Sequence, residues 1–143
     1  MKTKNLKILS TMIVGFCFTA FICMSFIKTS GDDKKKPWIV PDAAKNVKNP
    51  VKSDAESIAA GKTLYNKHCK SCHGAKGLGD GPKSKELETP TGDFSVDIKD
   101  QTDGELFYKT KEGRDDMPSF KKKITDDEEI WQVINFVNTL KKN

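Results

Sequence analysis

Cys69-Lys70-Ser71-Cys72-His73 stands midway along a chain of 143 residues, and its spacing carries a chemistry of its own. C-x-x-C-H is the attachment signal for a c-type haem. Two thiols three positions apart, at the end of a helix, can each add to one haem vinyl group. The histidine behind the second thiol then lies under the iron as its proximal ligand. A C-x-x-C pair also serves in redox dithiols and in zinc sites. A redox dithiol does not need the following histidine, and no strand–helix pattern leads into this one. A zinc site needs four ligands. The other Cys and His residues are His68, in the same stretch, and Cys17 and Cys23, in an apolar N-terminal segment. The reading is one haem c, covalent through Cys69 and Cys72. A single motif excludes multihaem architectures for this chain alone.

Ahead of the motif, Ser53-Asp54-Ala55-Glu56 spells a capping box with Ser53 as N-cap. It predicts a helix to about Lys70, with Ile58, Gly61, Leu64, Tyr65 and His68 on one face. Gly61 inside that helix costs about 1 kcal/mol relative to Ala, which close approach of another helix would justify. Behind the motif, Gly74 to Pro82 is too glycine-rich for an element and reads as a loop folded around the haem edge. It lacks the preceding strand and the following Lys-Ser/Thr of a phosphate-binding loop. A second turn-rich stretch ends in Phe94, a core or haem contact.

Thr102-Asp103-Gly104-Glu105 is a second capping box, opening a helix through about Lys111 that stops at Gly113. The loop Arg114 to Phe120 follows. Thr125-Asp126-Asp127-Glu128 is a third box and opens the last helix. There Ile130, Val133, Ile134, Val137 and Leu140 form one stripe, flanked by Trp131 and Phe136. No strand pattern and no repeat is present. The expected fold is all-α, with three to five helices around one haem.

Low-spin electron-transfer haems carry a sixth ligand, and Met is a common one because it raises the reduction potential. Met1, Met12 and Met24 lie in the N-terminal segment, which leaves Met117 as the only domain methionine. It sits in a loop before Pro118, and Asp116 and Pro118 are not the neighbours of a gap-filling core Met. Met117 is therefore the expected sixth ligand. His68, its rival, reads as a solvent-facing helix residue.

Lys2, Lys4 and Lys7 precede an apolar run from Ile8 to Ile27, the pattern of a secretory signal. The run is also long enough to span a bilayer, so residues 1–31 are a signal peptide or an N-terminal anchor. Either places the domain outside the cytoplasm, in the periplasm or on the outer face of the membrane. Residues 32–52, rich in Lys and Pro, form a linker or a strap whose Trp38 packs on the domain at 53–143. Four of the 25 basic residues lie in residues 1–31, and the remaining 21 face 20 acids. The basic balance thus belongs to the targeting segment, and nucleic acid is a poor partner.

With these parts assembled, the chain resembles the class I cytochromes c over about Ser53 to Leu140. The resemblance rests on Gly61-x-x-x-Tyr65, Cys69-x-x-Cys72-His73-Gly74, Gly77 to Pro82, Met117-Pro118 and the terminal amphipathic helix. Gly81-Pro82, Gly92-Asp93-Phe94 and Arg114-x-x-Met117-Pro118-x-Phe120 are similar to small bacterial periplasmic monohaem cytochromes. The resemblance implies His73 and Met117 as the axial pair and Pro82 as the carbonyl that orients His73. It implies that Gly61 and Tyr65 cross the last helix near Val133 and Phe136, and offers Arg114 as a partner for a haem propionate. The function it implies is single-electron transfer between redox proteins, as a monomer or a complex subunit, and not catalysis. Two alternatives stay open: a sensor or catalytic haem protein with an open sixth site, and a cytochrome subunit docked to a membrane oxidoreductase.

Overall fold

All three capping motifs open a helix, one as spelled and two a residue further on. In the computed structural model, which describes residues 37–142, the helices are α1 (Asp42–Lys45), α2 (Ala55–His68), α3 (Lys70–His73), α4 (Phe94–Asp97), α5 (Asp103–Glu112) and α6 (Asp127–Asn138). Thr102 makes the full box: its hydroxyl accepts from the Glu105 N–H at 3.2 Å, and the Glu105 carboxylate accepts from the Thr102 N–H at 2.8 Å. At α2 the cap is Asp54 instead of Ser53, accepting from the Ser57 N–H at 3.0 Å. At α6 it is Asp126 instead of Thr125, accepting from the Glu128 N–H at 2.9 Å. In both places an Asp follows the hydroxyl residue. Its carboxylate caps at least as well and its charge complements the helix dipole.

α2 and α6 cross at Gly61. A Cβ there would stand 1.9 Å from the carbonyl oxygen of Gln132, so the backbones touch with no room for a side chain. One turn on, Tyr65 is fully buried, packs its ring at 5.1 Å from that of Phe136, and donates to the Gly74 carbonyl at 2.7 Å. On the other side of α6, Trp131 stacks on Phe107 of α5, ring centroids 4.0 Å apart. α6 is therefore buried well beyond its stripe, with Trp131, Asn135 and Phe136 covered as well.

Buried Asn135 shows why residues 40–52 lie on the helices. Its amide nitrogen donates to the carbonyls of Val51 and Lys52 and to the Ser57 hydroxyl, at 3.2, 3.2 and 2.9 Å. Its oxygen accepts from Asn49 at 2.8 Å, and Asn49 also donates to the Trp131 carbonyl. A buried amide is tolerated only when so satisfied. Further back, the Thr102 hydroxyl donates to the Lys45 carbonyl at 2.8 Å, which seats α1 on the start of α5. Val40 is 3% exposed while its neighbour Ile39 is 87% exposed.

The all-α expectation holds. Among the described residues the nearest approach to a strand is an isolated bridge between Arg114 and Met117. No helix among them is long and apolar enough to cross a membrane, and the segment 8–27 lies outside them.

Candidate functional site

α2 ends at His68 rather than Lys70, and the break falls on the first cysteine. Cys69 closes α2 by donating to the Tyr65 carbonyl at 2.8 Å and opens α3, its carbonyl accepting from Cys72 and His73 at 3.1 and 3.0 Å. The glycine loop then folds back on this turn. Gly79 donates to the His73 carbonyl, Gly81 to that of Cys72 and Lys83 to that of Ser71. At Gly81 a Cβ would lie 2.5 Å from the Ser71 carbonyl oxygen, so only glycine admits the loop so close. Pro82 is held between two of these anchored residues.

Cys69, Cys72 and His73 line one cavity of about 630 Å³, within the usual range for cofactor sites. Its wall also takes Leu106, Val133, Ile134 and Val137 from α5 and α6, and Met117 from the loop after α5. Residues 44 positions apart in the sequence, His73 and Met117, thus meet one space. Phe94 stacks on the His73 ring at 4.5 Å between centroids and 28° between planes, while its N–H donates to the Gly77 carbonyl at 2.7 Å. Arg114 lines the same cavity.

Burial, and secondarily the nearby Cys72, pushes the Cys69 thiol up to about 12. A redox dithiol needs the opposite, a thiol lowered towards neutrality. Among the described residues, no three His, Cys, Asp or Glu side chains are grouped to hold a metal ion, so the zinc alternative has no ligand set there. Two soft sulfurs, an imidazole and a thioether around an apolar space fit a haem c, which these residues would hold.

His68 corrects the sequence reading. It lines the cavity half-buried, edge-on to Phe120 at 6.1 Å, and is only partly open to solvent. Desolvation, then Lys67 and Lys123, lower its pKa, with Glu129 opposing. The helical periodicity had grouped it with Gly61, Leu64 and Tyr65, and that grouping was the better signal. Sequence reasoning missed Lys109, which lines the cavity, donates to Gln101 at 2.6 Å, and has its pKa lowered chiefly by burial. It also missed the Asn49–Asn135 pair.

The family model described as cytochrome C oxidase, cbb3-type, subunit III matches residues 56–137. The chain belongs to that family. The cytochrome is thus a class I c-type cytochrome, and its domain is a haem-based electron-transfer domain rather than an enzyme in itself. In fold, the cytochrome is similar to a chain of the Kuenenia stuttgartiensis reducing HAO-like protein complex Kustc0457/Kustc0458. The TM-score is 0.59 at 25% identity, over 76% of this chain and 54% of that one, so the cytochrome spans about half of its neighbour's length. No protein of curated function matches it.

Proposed function

We propose that the cytochrome is a single-electron carrier whose haem c is bound through Cys69 and Cys72 and ligated by His73 and Met117. The observation that carries this reading is the shared cavity, which gathers both thiols, the imidazole and the only domain methionine over aliphatic walls. When bound, haem c supplies a one-electron iron couple.

The residues around it act by fixing and excluding. Cys69, between α2 and α3, and Cys72, within α3, would tether the group. The stacked Phe94 holds the His73 ring in plane; with haem bound, the Pro82 carbonyl would accept from its second nitrogen and keep the tautomer and orientation constant. Met117 closes the remaining position against water and gases. Leu106, Val133, Ile134 and Val137 keep the space dry, which favours the uncharged reduced state and raises the potential. Arg114, planar and permanently charged, suits a propionate. Donor and acceptor are redox proteins on the outer side of the cytoplasmic membrane, to which residues 1–31 export the domain or tether it.

A second reading, a docked subunit, is favoured by the fold neighbour's membership of a protein complex. Retention of residues 1–31, read by intact mass of the mature protein, would favour it over a free shuttle.

Carbon monoxide tests the proposal. The reduced, haem-loaded full chain is expected to keep a low-spin spectrum unchanged by the gas, whereas Met117→Ala binds it. Ready binding by the unaltered protein would leave a sensor or catalytic haem as the better reading.

A further inference from the structure

The segment before α1 does more than cover the helices, because its first described residues enter the cavity wall. Pro37 and Trp38 line the cavity that also holds Met117. Val40, Asn49 and the seat of α1 on Thr102 fix the strap behind them, so Trp38 is the leading end of an anchored segment. Its ring faces two cations, with the Arg114 guanidinium carbon 4.6 Å and the Lys109 ammonium 5.9 Å from the ring centroid. Both distances lie within the range of cation–π attraction.

Arg114 in turn is tied to Met117. The Arg114 N–H donates to the Met117 carbonyl at 2.8 Å, and the Met117 N–H donates to the Arg114 carbonyl at 2.9 Å. Between them Asp115 adopts φ 50°, in the left-handed region that a non-glycine residue enters only in a tight turn. Arg114 Nε reaches the Asp115 carboxylate at 3.1 Å, which stiffens the same turn. A guanidinium held against Trp38 therefore fixes a two-way backbone pair, and with it the place from which Met117 meets the cavity.

We propose that Trp38 is a positioning residue for Met117: the strap clamps Arg114, and the clamp holds the Met117 loop closed. The proposal rests on Met117 being the sixth ligand, and its test separates the two. In the full haem-loaded chain, Trp38 is replaced by Phe, which keeps a ring face, and by Leu and Ala, which do not. Two quantities are read: the denaturant concentration at which the far-red sulfur-to-iron band disappears, set against loss of helical circular dichroism, and the rate of carbon monoxide uptake after reduction.

Trp38→Leu and Trp38→Ala should lose the band before the helices melt and should take up carbon monoxide, which the unaltered protein excludes, as loss of an aromatic–cation contact predicts. Trp38→Phe should stay near the unaltered protein. If the Leu and Ala variants match the unaltered protein, or Phe behaves as Leu does, the clamp is overturned while Met117 stands. If the unaltered protein shows no band, the Met117 assignment falls and the clamp with it.

Discussion

The two sides of the cavity are built in opposite ways. The side bearing Cys69, Cys72 and His73 is one continuous run from α2 through the glycine loop, tied around the motif by hydrogen bonds between residues at most 17 positions apart. The side bearing Met117 is gathered from two distant pieces: the strap, and α5 with the loop that follows it. Its ties span the chain, as in the Asn49–Asn135 bond across 86 positions. Local chemistry makes a site that a few residues spell out. Assembled chemistry makes one that a small loss elsewhere can loosen.

That contrast can be broken most forcefully at the helix crossing on which both sides stand. Gly61→Ala places a methyl against the Gln132 backbone, where neither helix can yield without moving the other. It should cost about 3 kcal/mol in urea unfolding. A cost near zero would mean that the α2–α6 contact is slack and that the continuous side lacks the rigidity claimed for it.

Asn135→Ala is the sharper test of the assembled side. It leaves the Val51 and Lys52 carbonyls, the Ser57 hydroxyl and the Asn49 amide short of a partner, a loss of about 1–3 kcal/mol. Limited proteolysis should then cut within residues 40–52 before the helices unfold. Cleavage appearing first in the glycine loop would reverse the comparison.

The smallest effect is expected from His68, on the seam between the two. Its pKa in the fold lies below the ordinary 6.5, because burial penalises the charged form. The unfolded chain therefore takes up the proton first. The contribution is fully present above pH 6.5 and declines as pH falls from there towards the lower folded value. Solvent screening keeps it small, a shift in thermal midpoint of about 2 °C that His68→Gln should abolish. An unchanged pH profile in that variant would show that another group is responsible.

The same contrast explains what was legible in the sequence. The attachment motif, the capping boxes and the crossing at Gly61 are short-range patterns, and each marks a real element. Met117 was singled out by elimination, since only one methionine lies in the domain, and it lines the cavity. The caps at Asp54 and Asp126 were displaced by one because a hydroxyl and a carboxylate stand side by side, and spacing does not rank them. His68 was misjudged because a histidine on a helix carries no sign of which neighbour covers it; Phe120, over fifty residues on, supplies the cover. Asn135 was invisible for the same reason. A polar residue inside an apolar helix gains its meaning only from the strap that folds onto it.

The central claim is that both sides meet at one iron, and the far-red sulfur-to-iron band of the oxidised protein tests it most directly. The account predicts the band in the full haem-loaded chain and its loss in Met117→Ala, with haem still attached after acid extraction of both proteins. A band that survives in Met117→Ala, or is absent from the unaltered chain, would contradict it.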